Sequence, residues 1–343
     1  MIKVTVIGAT GYAGAELMRI LSGHKNASVQ HAVSKSFSGQ NLSDIYPSFT
    51  GRDIPLEQMD IDAVTKDCGI VFTCLPHGTS AEVVPQLLSR GAKVIDLSGD
   101  FRYTDAAVYE KWYQRTHNAK HLLSKSVYGM PELYRDRIKD ADLIGNPGCY
   151  TTSAILAMAP LLKAGLIHPG SIIVDAKSGA TGAGRASNTA LSFCEMNENV
   201  KAYGVGTHRH TSEIEQELSI AAGAPVTLSF TPHLLPVKRG IISTMYATPS
   251  NGVTTAQLKD AYAMYENEPF VKVYEDSLPE LKHVVGSNNC AIGFVLDART
   301  NRLIVVSCID NLIKGAAGQA VQNMNIMCGF NESDGLSNFG WYL

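Results

Sequence analysis

The chain has 343 residues, of which 45% are hydrophobic and 18% charged, values typical of a globular enzyme and a length sufficient for two domains. Its formal net charge of −3 argues against a nucleic-acid partner, and no apolar run approaches the roughly 18 residues that a membrane-spanning helix needs. The seven cysteines include no Cys-x-x-Cys pair, so neither a disulfide framework nor a metal site is indicated. A strand pattern begins almost at Met1, so we expect no signal peptide and a cytoplasmic location.

The chain up to residue 145 alternates between strand and helix patterns. Strands rich in Val and Ile are predicted at residues 3–8, 28–34, 69–74, 93–96 and 142–145, and helices at 13–22, 80–90 and 106–116. Such alternation predicts a parallel sheet covered by helices on both faces.

The first predicted strand runs into a glycine-rich turn that opens a helix. The turn is Gly8-Ala9-Thr10-Gly11-Tyr12-Ala13-Gly14, a Gly-x-x-Gly-x-x-Gly spacing rather than the commoner Gly-x-Gly-x-x-Gly. Glycines at this point let the backbone approach a pyrophosphate, whose charge the N-terminus of the helix stabilises. Glycine often serves only to close such a turn, but in the first βα unit of an alternating chain it predicts a dinucleotide site.

The end of the second predicted strand bears on the choice of dinucleotide. An NAD site places Asp or Glu about 20 residues beyond the glycine turn, to bind the ribose 2′-hydroxyl. This chain has Ser34-Lys35-Ser36 there instead. A cation between hydroxyl groups suits a 2′-phosphate, so we predict that Ser34 and Lys35 select NADP(H). The alternative is that Lys35 is a solvated loop lysine.

A cysteine follows the last strand of this half. The octapeptide at residues 145–152, Gly-Asn-Pro-Gly-Cys-Tyr-Thr-Thr, leads into a helical pattern at residues 151–162. The turn would place the Cys149 sulfur at or near a helix N-terminus, where backbone N–H groups and the helix dipole lower a thiol pKa. Such a thiolate is ready to attack a carbonyl carbon. The alternative is a buried structural thiol, because cysteine is among the most buried residue types.

Beyond Cys149 the strand patterns are longer and separated by fewer helices. They cover residues 171–177, 226–232, 240–248, 283–297 and 302–309, and a last helix is predicted at 310–328. This arrangement predicts an antiparallel or mixed sheet in an α+β domain. Lys177 and Arg185 flank a Gly-rich loop, which either binds anions or is simply a loop.

Two histidines lie close together in Gly206-Thr207-His208-Arg209-His210-Thr211-Ser212-Glu213. Two imidazoles beside a guanidinium suit an anionic substrate and a general acid/base. His-x-His also ligates metals, but no carboxylate or cysteine partner stands at ligand spacing. A helix-entry loop with polar capping residues is the structural alternative.

A dinucleotide fold combined with an activated thiol and a histidine indicates one kind of chemistry. The thiolate attacks a carbonyl carbon, and the adduct exchanges hydride with a nicotinamide. A cofactor-independent Cys–His acyl hydrolase would not need the glycine turn or Lys35. A non-catalytic NADP-sensing protein would tolerate the loss of Cys149.

The sequence resembles the N-acetyl-γ-glutamyl-phosphate reductase family over nearly its whole length. The matching segments keep their order and are residues 8–14, 97–102, 128–133, 145–150, 208–214, 235–241 and 310–317. The resemblance implies an α/β fold in which a Rossmann-type NADP-binding domain (residues 1–147 and 310–343) carries an inserted α+β catalytic domain (residues 148–309) of the semialdehyde dehydrogenase type. It also implies a homodimer or homotetramer that reduces N-acetylglutamyl 5-phosphate to N-acetylglutamate 5-semialdehyde with NADPH in arginine biosynthesis.

The same resemblance implies roles for individual residues. Cys149 would be the nucleophile and His210 the acid/base, with His208 in or beside the substrate pocket. Asn311 would lie by the nicotinamide. The cations implied for the substrate's anionic groups are Arg102, Lys177, Arg185 and Arg239.

Two positions depart from the family pattern. Ser212 stands where proline is expected and Gly99 where alanine is common, both in predicted loops.

Two rival families share some of these features. Aspartate-semialdehyde dehydrogenase shares the fold, thiol and cofactor but lacks the His-Arg-His arrangement. A short-chain dehydrogenase needs Tyr-x-x-x-Lys, and none of the 14 tyrosines has a lysine four residues later.

Overall fold

The computed structural model describes residues 1–342, and the chain divides into two compact units. The first unit comprises Met1–Pro147 and Ala316–Leu336, and the second comprises Gly148–Gly315 with the chain from Ser337 onward. Residues 310–315 and 337–342, predicted with the first domain, therefore pack with the second unit. The reason is local hydrogen bonding within the second unit, where Gly286 N–H donates to Asp310 and Trp341 N–H donates to a neighbouring loop carbonyl. Leu343, the end of the predicted segment 310–343, lies outside the described residues.

The first unit is built around a parallel sheet. Its strands are β1 (Ile2–Ile7), β2 (Ala27–Val33), β3 (Leu56–Glu57), β4 (Ile70–Thr73), β5 (Lys93–Asp96), β6 (Val127–Tyr128) and β7 (Leu143–Gly145). Its helices are α1 (Tyr12–Ser22), α2 (Leu42–Ile45), α3 (Ile61–Thr65), α4 (Ser80–Ser89), α5 (Ala106–Tyr113), α6 (Pro131–Lys139) and α11 (Gly318–Met327).

The strand order of this sheet is β3-β2-β1-β4-β5-β7-β6, and all of its pairs are parallel. All four residues of β4, Ile-Val-Phe-Thr, are buried although they point alternately to the two faces. Both faces are therefore covered, as the alternating pattern predicts. The parallel α/β architecture is confirmed. The short strands β3 and β6 were not predicted.

The second unit contains the remaining elements. Its strands are β8 (Ile173–Ser178), β9 (Lys201–Ala202), β10 (Ser229–Leu234), β11 (Ile241–Ala247), β12 (Val271–Tyr274), β13 (Cys290–Asp297) and β14 (Arg302–Ile309). Its helices are α7 (Cys149–Lys163), α8 (Phe193–Met196), α9 (His210–Ala222) and α10 (Thr255–Tyr262).

This second sheet is mixed, with the order β12-β13-β14-β11-β8-β10-β9. The pairs β8–β10 and β12–β13 are parallel, and the other pairs are antiparallel. Helix α7 packs on one face, where Ser153 bonds to Ser243 of β11 at 2.9 Å and to Ser307 of β14 at 3.1 Å. The predicted α+β second domain is confirmed.

Two predicted elements are shorter than expected. The strand predicted at 283–297 begins only at Cys290, because the chain turns at Gly286 with a φ of +90°. The helix predicted at 310–328 does not begin as a regular α-helix, because the Gly315 N–H group donates to Asp310 O, five residues before it, and so forms a wider turn. The buried Asp310 carboxylate caps this turn by accepting from the Leu312 and Ile313 N–H groups. A short π-helical turn at Ile313–Ala317 follows, and regular α-helix starts at Gly318. Every helix in the described part of the chain is too short or too polar to cross a membrane.

Candidate active site

The glycine turn of the first unit has the geometry of an anion-binding turn. Gly8 has a φ of +89°, and its N–H group and that of Ala9 both donate to Val33 O. A Cβ on Gly14 would lie 2.1 Å from Gly8 O, so only glycine lets α1 pack this close to the end of β1. Helix α1 starts at Tyr12, and its Gly11 N-cap supplies no side-chain hydrogen bond. The first-turn N–H groups, those of Tyr12, Ala13 and Gly14, thus suit an external anion.

The end of β2 lies beside this turn. The Ser34 hydroxyl is 2.8 Å from the Thr10 hydroxyl, and both residues are buried. Tyr46 adds a hydrogen bond from its hydroxyl to Thr10 O at 2.9 Å. Lys35 follows directly and is exposed. The structure therefore places Ser34 against the glycine turn, with the exposed Lys35 as the next residue, and the Thr10–Ser34 contact is one that the sequence did not reveal.

Arg102 also lies in the first unit, and its guanidinium is buried there. Its Nε donates to Asn146 O at 2.6 Å and its Nη2 donates to Leu97 O at 3.0 Å. These two bonds tie the segment after β5 to the segment after β7. Within this unit Arg102 therefore holds two backbone segments together, a role that the resemblance to the reductase family did not imply.

Asp100 and Gly99, which precede Arg102 in the chain, also contribute to local packing. The Asp100 carboxylate accepts hydrogen bonds from Gly78 N–H, Ala81 N–H and the Tyr109 hydroxyl, and so holds the start of α4. Gly99 lies in a turn, as expected, and a Cβ there would be 2.0 Å from the Tyr113 hydroxyl oxygen. A side chain at position 99 would therefore require the Tyr113 ring to shift.

In the second unit, Cys149 is the first residue of α7. Gly148 is the N-cap, in an extended conformation with φ −71° and ψ 156°. Its N–H group donates to Glu213 Oε1 at 2.9 Å, and the Thr151 hydroxyl donates to the same oxygen at 2.9 Å. The Asn-Pro-Gly turn thus does place Cys149 at a helix N-terminus, where the helix dipole favours a thiolate over a thiol.

The two histidines lie beside Tyr150, the residue that follows Cys149. The Tyr150 ring meets the His208 and His210 rings edge-on, with centroid distances of 5.7 and 6.0 Å. The two imidazoles are 4.8 Å apart, and Tyr203 contacts His208 at 5.6 Å. His210 is the first residue of α9 and His208 lies two residues before it, so the start of this helix brings His210 and Glu213 to the N-terminus of α7, with His208 beside them.

His208 is held as a neutral imidazole. Burial lowers its pKa from 6.5 to about 4, and the neighbouring Arg209 charge acts in the same direction. Its Nδ1 accepts a hydrogen bond from the His210 N–H group at 3.2 Å. A neutral ring whose Nδ1 accepts must carry its proton on Nε2. His208 is therefore a hydrogen-bond donor through Nε2.

Lys177 lies on the other side of the second sheet. Ala176 pairs with Ser243, the residue that bonds to α7, so Ala176 faces that helix and Lys177 points to the opposite face. There its ammonium group is 2.6 Å from Asp175 Oδ2. The structure thus places Lys177 and Cys149 on opposite sides of the sheet within one chain.

The remaining predicted residues of this unit surround the loop after β8. Asn311 Oδ1 accepts from Gly240 N–H at 2.8 Å, and its amide group donates to the Thr181 hydroxyl at 3.0 Å. Arg239 Nη1 lies 3.6 Å from the buried Asp310 carboxylate. Arg185 is exposed on the Gly-rich loop. Among residues 1–342, no three side chains of the types His, Cys, Asp and Glu are grouped so that they could hold a metal ion.

Comparison with known proteins agrees with this arrangement. Residues 3–141 match the model of the semialdehyde dehydrogenase NAD-binding domain, and residues 149–311 match that of the semialdehyde dehydrogenase dimerisation domain. A protein of Acetivibrio thermocellus named N-acetyl-gamma-glutamyl-phosphate reductase is 50% identical over 346 residues, with 100% of each chain covered. A protein of the same name from Citrifermentans bemidjiense is 53% identical, with 98% of each chain covered. The chain belongs to the N-acetyl-gamma-glutamyl-phosphate reductase family.

Solved structures show the same fold at much lower identity. Aspartate semialdehyde dehydrogenase II of Vibrio cholerae superposes with a TM-score of 0.73 at 18% identity, covering 96% of this chain and 98% of the other. The Candida albicans aspartate semialdehyde dehydrogenase, solved with NADP, gives 0.72 at 16% identity, with 96% and 98% covered. This family member is therefore an oxidoreductase with a nicotinamide cofactor and the predicted semialdehyde dehydrogenase fold.

Sequence reasoning missed the residues that hold this family member's thiol and imidazoles in place. Glu213 is fully buried and anchors Gly148 and Thr151, and the Tyr150 hydroxyl lies 2.9 Å from that of Tyr203. The available signal was the spacing of Glu213 three residues after His210, which puts both in the first turn of one helix. Ser212, expected in a loop, lies in that same first turn, where its hydroxyl donates to Arg209 O.

Proposed function

We propose that this protein catalyses the NADPH-dependent reduction of N-acetyl-L-glutamyl 5-phosphate to N-acetyl-L-glutamate 5-semialdehyde and phosphate, a step of arginine biosynthesis. The observation that carries the proposal is identity of about half over the full length to relatives that bear the name of this reductase. The thiol at a helix N-terminus, with two imidazoles beside the next residue, supports it. We also propose a homodimer or homotetramer, a proposal supported by the match to a dimerisation domain.

NADP(H) is the proposed form of the cofactor, and the residues of the first unit fit it. The close approach of Gly14 to Gly8 and the first turn of α1 suit the pyrophosphate. Ser34 and the exposed Lys35, at the end of β2, suit a 2′-phosphate. When bound, the cofactor supplies the hydride for the reduction.

Cys149 is the proposed nucleophile. Its thiolate attacks the acyl carbon, the carbon–sulfur bond forms, and the bond to phosphate breaks so that inorganic phosphate leaves. Hydride addition to the resulting thioester carbonyl then gives a hemithioacetal. Collapse of that adduct breaks the carbon–sulfur bond, releases the aldehyde and restores the thiolate. The N-terminus of α7 stabilises the negative sulfur at the start and end of this sequence.

The two histidines have different proposed roles. His210 is the acid/base that gives a proton to the hemithioacetal oxygen and takes it back on collapse. His208, neutral with its proton on Nε2, is a hydrogen-bond donor beside the substrate. Of the cations predicted for the substrate's anionic groups, Arg185 is the exposed one, and we propose it as the principal anion contact. Asn311 is proposed to lie by the nicotinamide.

The test is reduction of NADP⁺ by N-acetylglutamate semialdehyde in the presence of phosphate or arsenate. We expect turnover to be abolished in Cys149→Ser and retained in Cys194→Ser, which alters an exposed cysteine of the same unit. An active Cys149→Ser protein would refute the covalent route. Ester hydrolysis without NADPH binding would instead indicate an acyl hydrolase. A parallel assay with the unacetylated semialdehyde tests whether the protein recognises the acetyl group.

A further inference from the structure

The turn at residues 310–315, called here the 310–315 turn, packs directly on Cys149. A Cβ added to Gly315 would lie 2.7 Å from Cys149 Cβ and 3.1 Å from its Cα. The Gly315 N–H group donates to Asp310 O at 2.9 Å, which closes the turn. The backbone of this turn is therefore one wall of the space around the proposed nucleophile.

Asp310 organises the 310–315 turn from within. It is fully buried, and its Oδ1 accepts from Leu312 N–H at 2.8 Å and Ile313 N–H at 3.1 Å. Its Oδ2 accepts from Gly286 N–H at 2.9 Å and lies 3.6 Å from Arg239 Nη1. Hydrogen-bond donors and a nearby positive charge together offset the cost of burying a carboxylate, so Arg239 contributes, with the three N–H groups, to holding Asp310 and the turn in place.

Trp341, near the end of the chain, covers Arg239. The Arg239 guanidinium carbon lies 5.7 Å from the indole ring, within cation–π range. The backbone N–H group of Trp341 donates to Val285 O at 2.7 Å. Gly286 makes room for the indole, because a Cβ there would lie 2.5 Å from three of its ring atoms.

The contacts form a chain from Trp341 through Arg239 and Asp310 to Cys149, all within the second unit. Resting on the proposed role of Cys149, we propose that Trp341 is a positioning residue for the reaction. Its indole holds Arg239 against Asp310, and Asp310 holds the 310–315 turn against the nucleophile. Arg239 is thereby assigned to the support of the turn rather than to direct contact with the substrate.

Trp341→Ala in the full-length protein tests the proposal, with Trp341→Phe as the conservative variant. Phe339→Ala is the matched control, because Phe339 lies in the same segment and is 83% exposed. We expect Trp341→Ala to lower kcat about tenfold, since small displacements of a reacting group are costly, with KM for NADP⁺ unchanged. Trp341→Phe keeps an aromatic face for the cation and should restore most of the rate. Full activity in Trp341→Ala, or no rescue by phenylalanine, would overturn the proposal.

Hydrogen exchange of the peptide that spans residues 310–315 supplies a readout independent of the reaction. The N–H groups bonded to Asp310 should exchange about tenfold faster in Trp341→Ala and at the native rate in Phe339→Ala. Unchanged exchange, with Cys149→Ser inactive, would refute this inference alone. Faster exchange with Cys149→Ser still active would refute the proposed function and leave the structural link standing.

A double-mutant cycle tests the route through Arg239. If Trp341 acts through that guanidinium, Trp341→Ala should cause no further loss of kcat in an Arg239→Ala background. Multiplication of the two single effects would show that the residues act independently, and would overturn the proposed route.

Discussion

Replacing Gly315 by alanine should separate catalysis from folding. The added methyl carbon would lie 2.7 Å from Cys149 Cβ and 3.2 Å from Ile309 Cδ1. Carbon atoms prefer separations of about 3.5–4.0 Å, so Cys149 or the turn must move by about 1 Å. A displacement of that size at a reacting group lowers the rate about 100-fold, equivalent to about 2.7 kcal/mol of barrier. Overpacking by one carbon should lower the free energy of unfolding by only about 1–3 kcal/mol.

The assay for Gly315→Ala is phosphate-dependent NADP⁺ reduction, followed together with urea unfolding. Gly170→Ala is the matched control, because a Cβ at that position meets no atom within 4 Å. We expect the control to keep full activity and near-native stability. The packing argument fails if Gly315→Ala retains kcat within twofold, since the nucleophile would then tolerate the shift that the geometry demands.

Three further predictions concern the imidazoles and the cofactor. His210→Asn should lower kcat by roughly 10²–10⁴-fold in steady-state kinetics, while NADPH affinity, measured by fluorescence titration, is retained. Loss of that affinity would mean that His210 does not act on the substrate. Lys35→Ala should weaken binding of NADPH but not of NADH, with the exposed Lys66→Ala as control; equal weakening of both would remove the 2′-phosphate role. His208 has a pKa of about 4 when folded and 6.5 when unfolded, so the unfolded chain takes up its proton first as the pH falls. The free energy of unfolding should therefore decrease, by at most about 3 kcal/mol, as the pH is lowered from 6.5 to about 4. His208→Asn should remove this pH dependence, and an unchanged dependence would refute the assigned protonation state.

The main architecture could be predicted because its signals are local and repeated. The alternation of Val- and Ile-rich strands with helices indicated the parallel sheet, and the Asn-Pro-Gly turn indicated that Cys149 lies at a helix N-terminus. The two-residue strands β3 and β6 carry no periodicity and were missed. The helix predicted from residue 310 has the right composition, but its first turn is π-helical, with the Gly315 N–H group bonded to Asp310 O five residues before it, and composition does not distinguish this turn from an α-helical one.

The candidate site was less predictable because its supporting contacts join distant parts of the chain. Arg102 looked like an anion-binding cation, but a sequence does not show that its guanidinium donates to Asn146 O and Leu97 O. Lys177 stood beside a Gly-rich loop, and only the strand register reveals that it faces away from α7. Glu213 and Trp341 lie 64 and 192 residues beyond Cys149, as their numbering shows. No local pattern connects residues at such separations.

Because Tyr113 lies against Gly99, the effect of a substitution at position 99 should depend on the residue at position 113. With a Cβ at position 99 only 2.0 Å from the Tyr113 hydroxyl oxygen, alanine at 99 should be tolerated only when residue 113 is smaller or its ring or helix is displaced. Relatives with alanine before the Asp-Phe-Arg segment should therefore differ from this chain at the position that corresponds to Tyr113. An alanine introduced here alone would be a case of epistasis, harmful in this background and neutral in theirs. Whether alanine is tolerated at position 99 thus depends on which residue stands at position 113, and neither residue alone determines it.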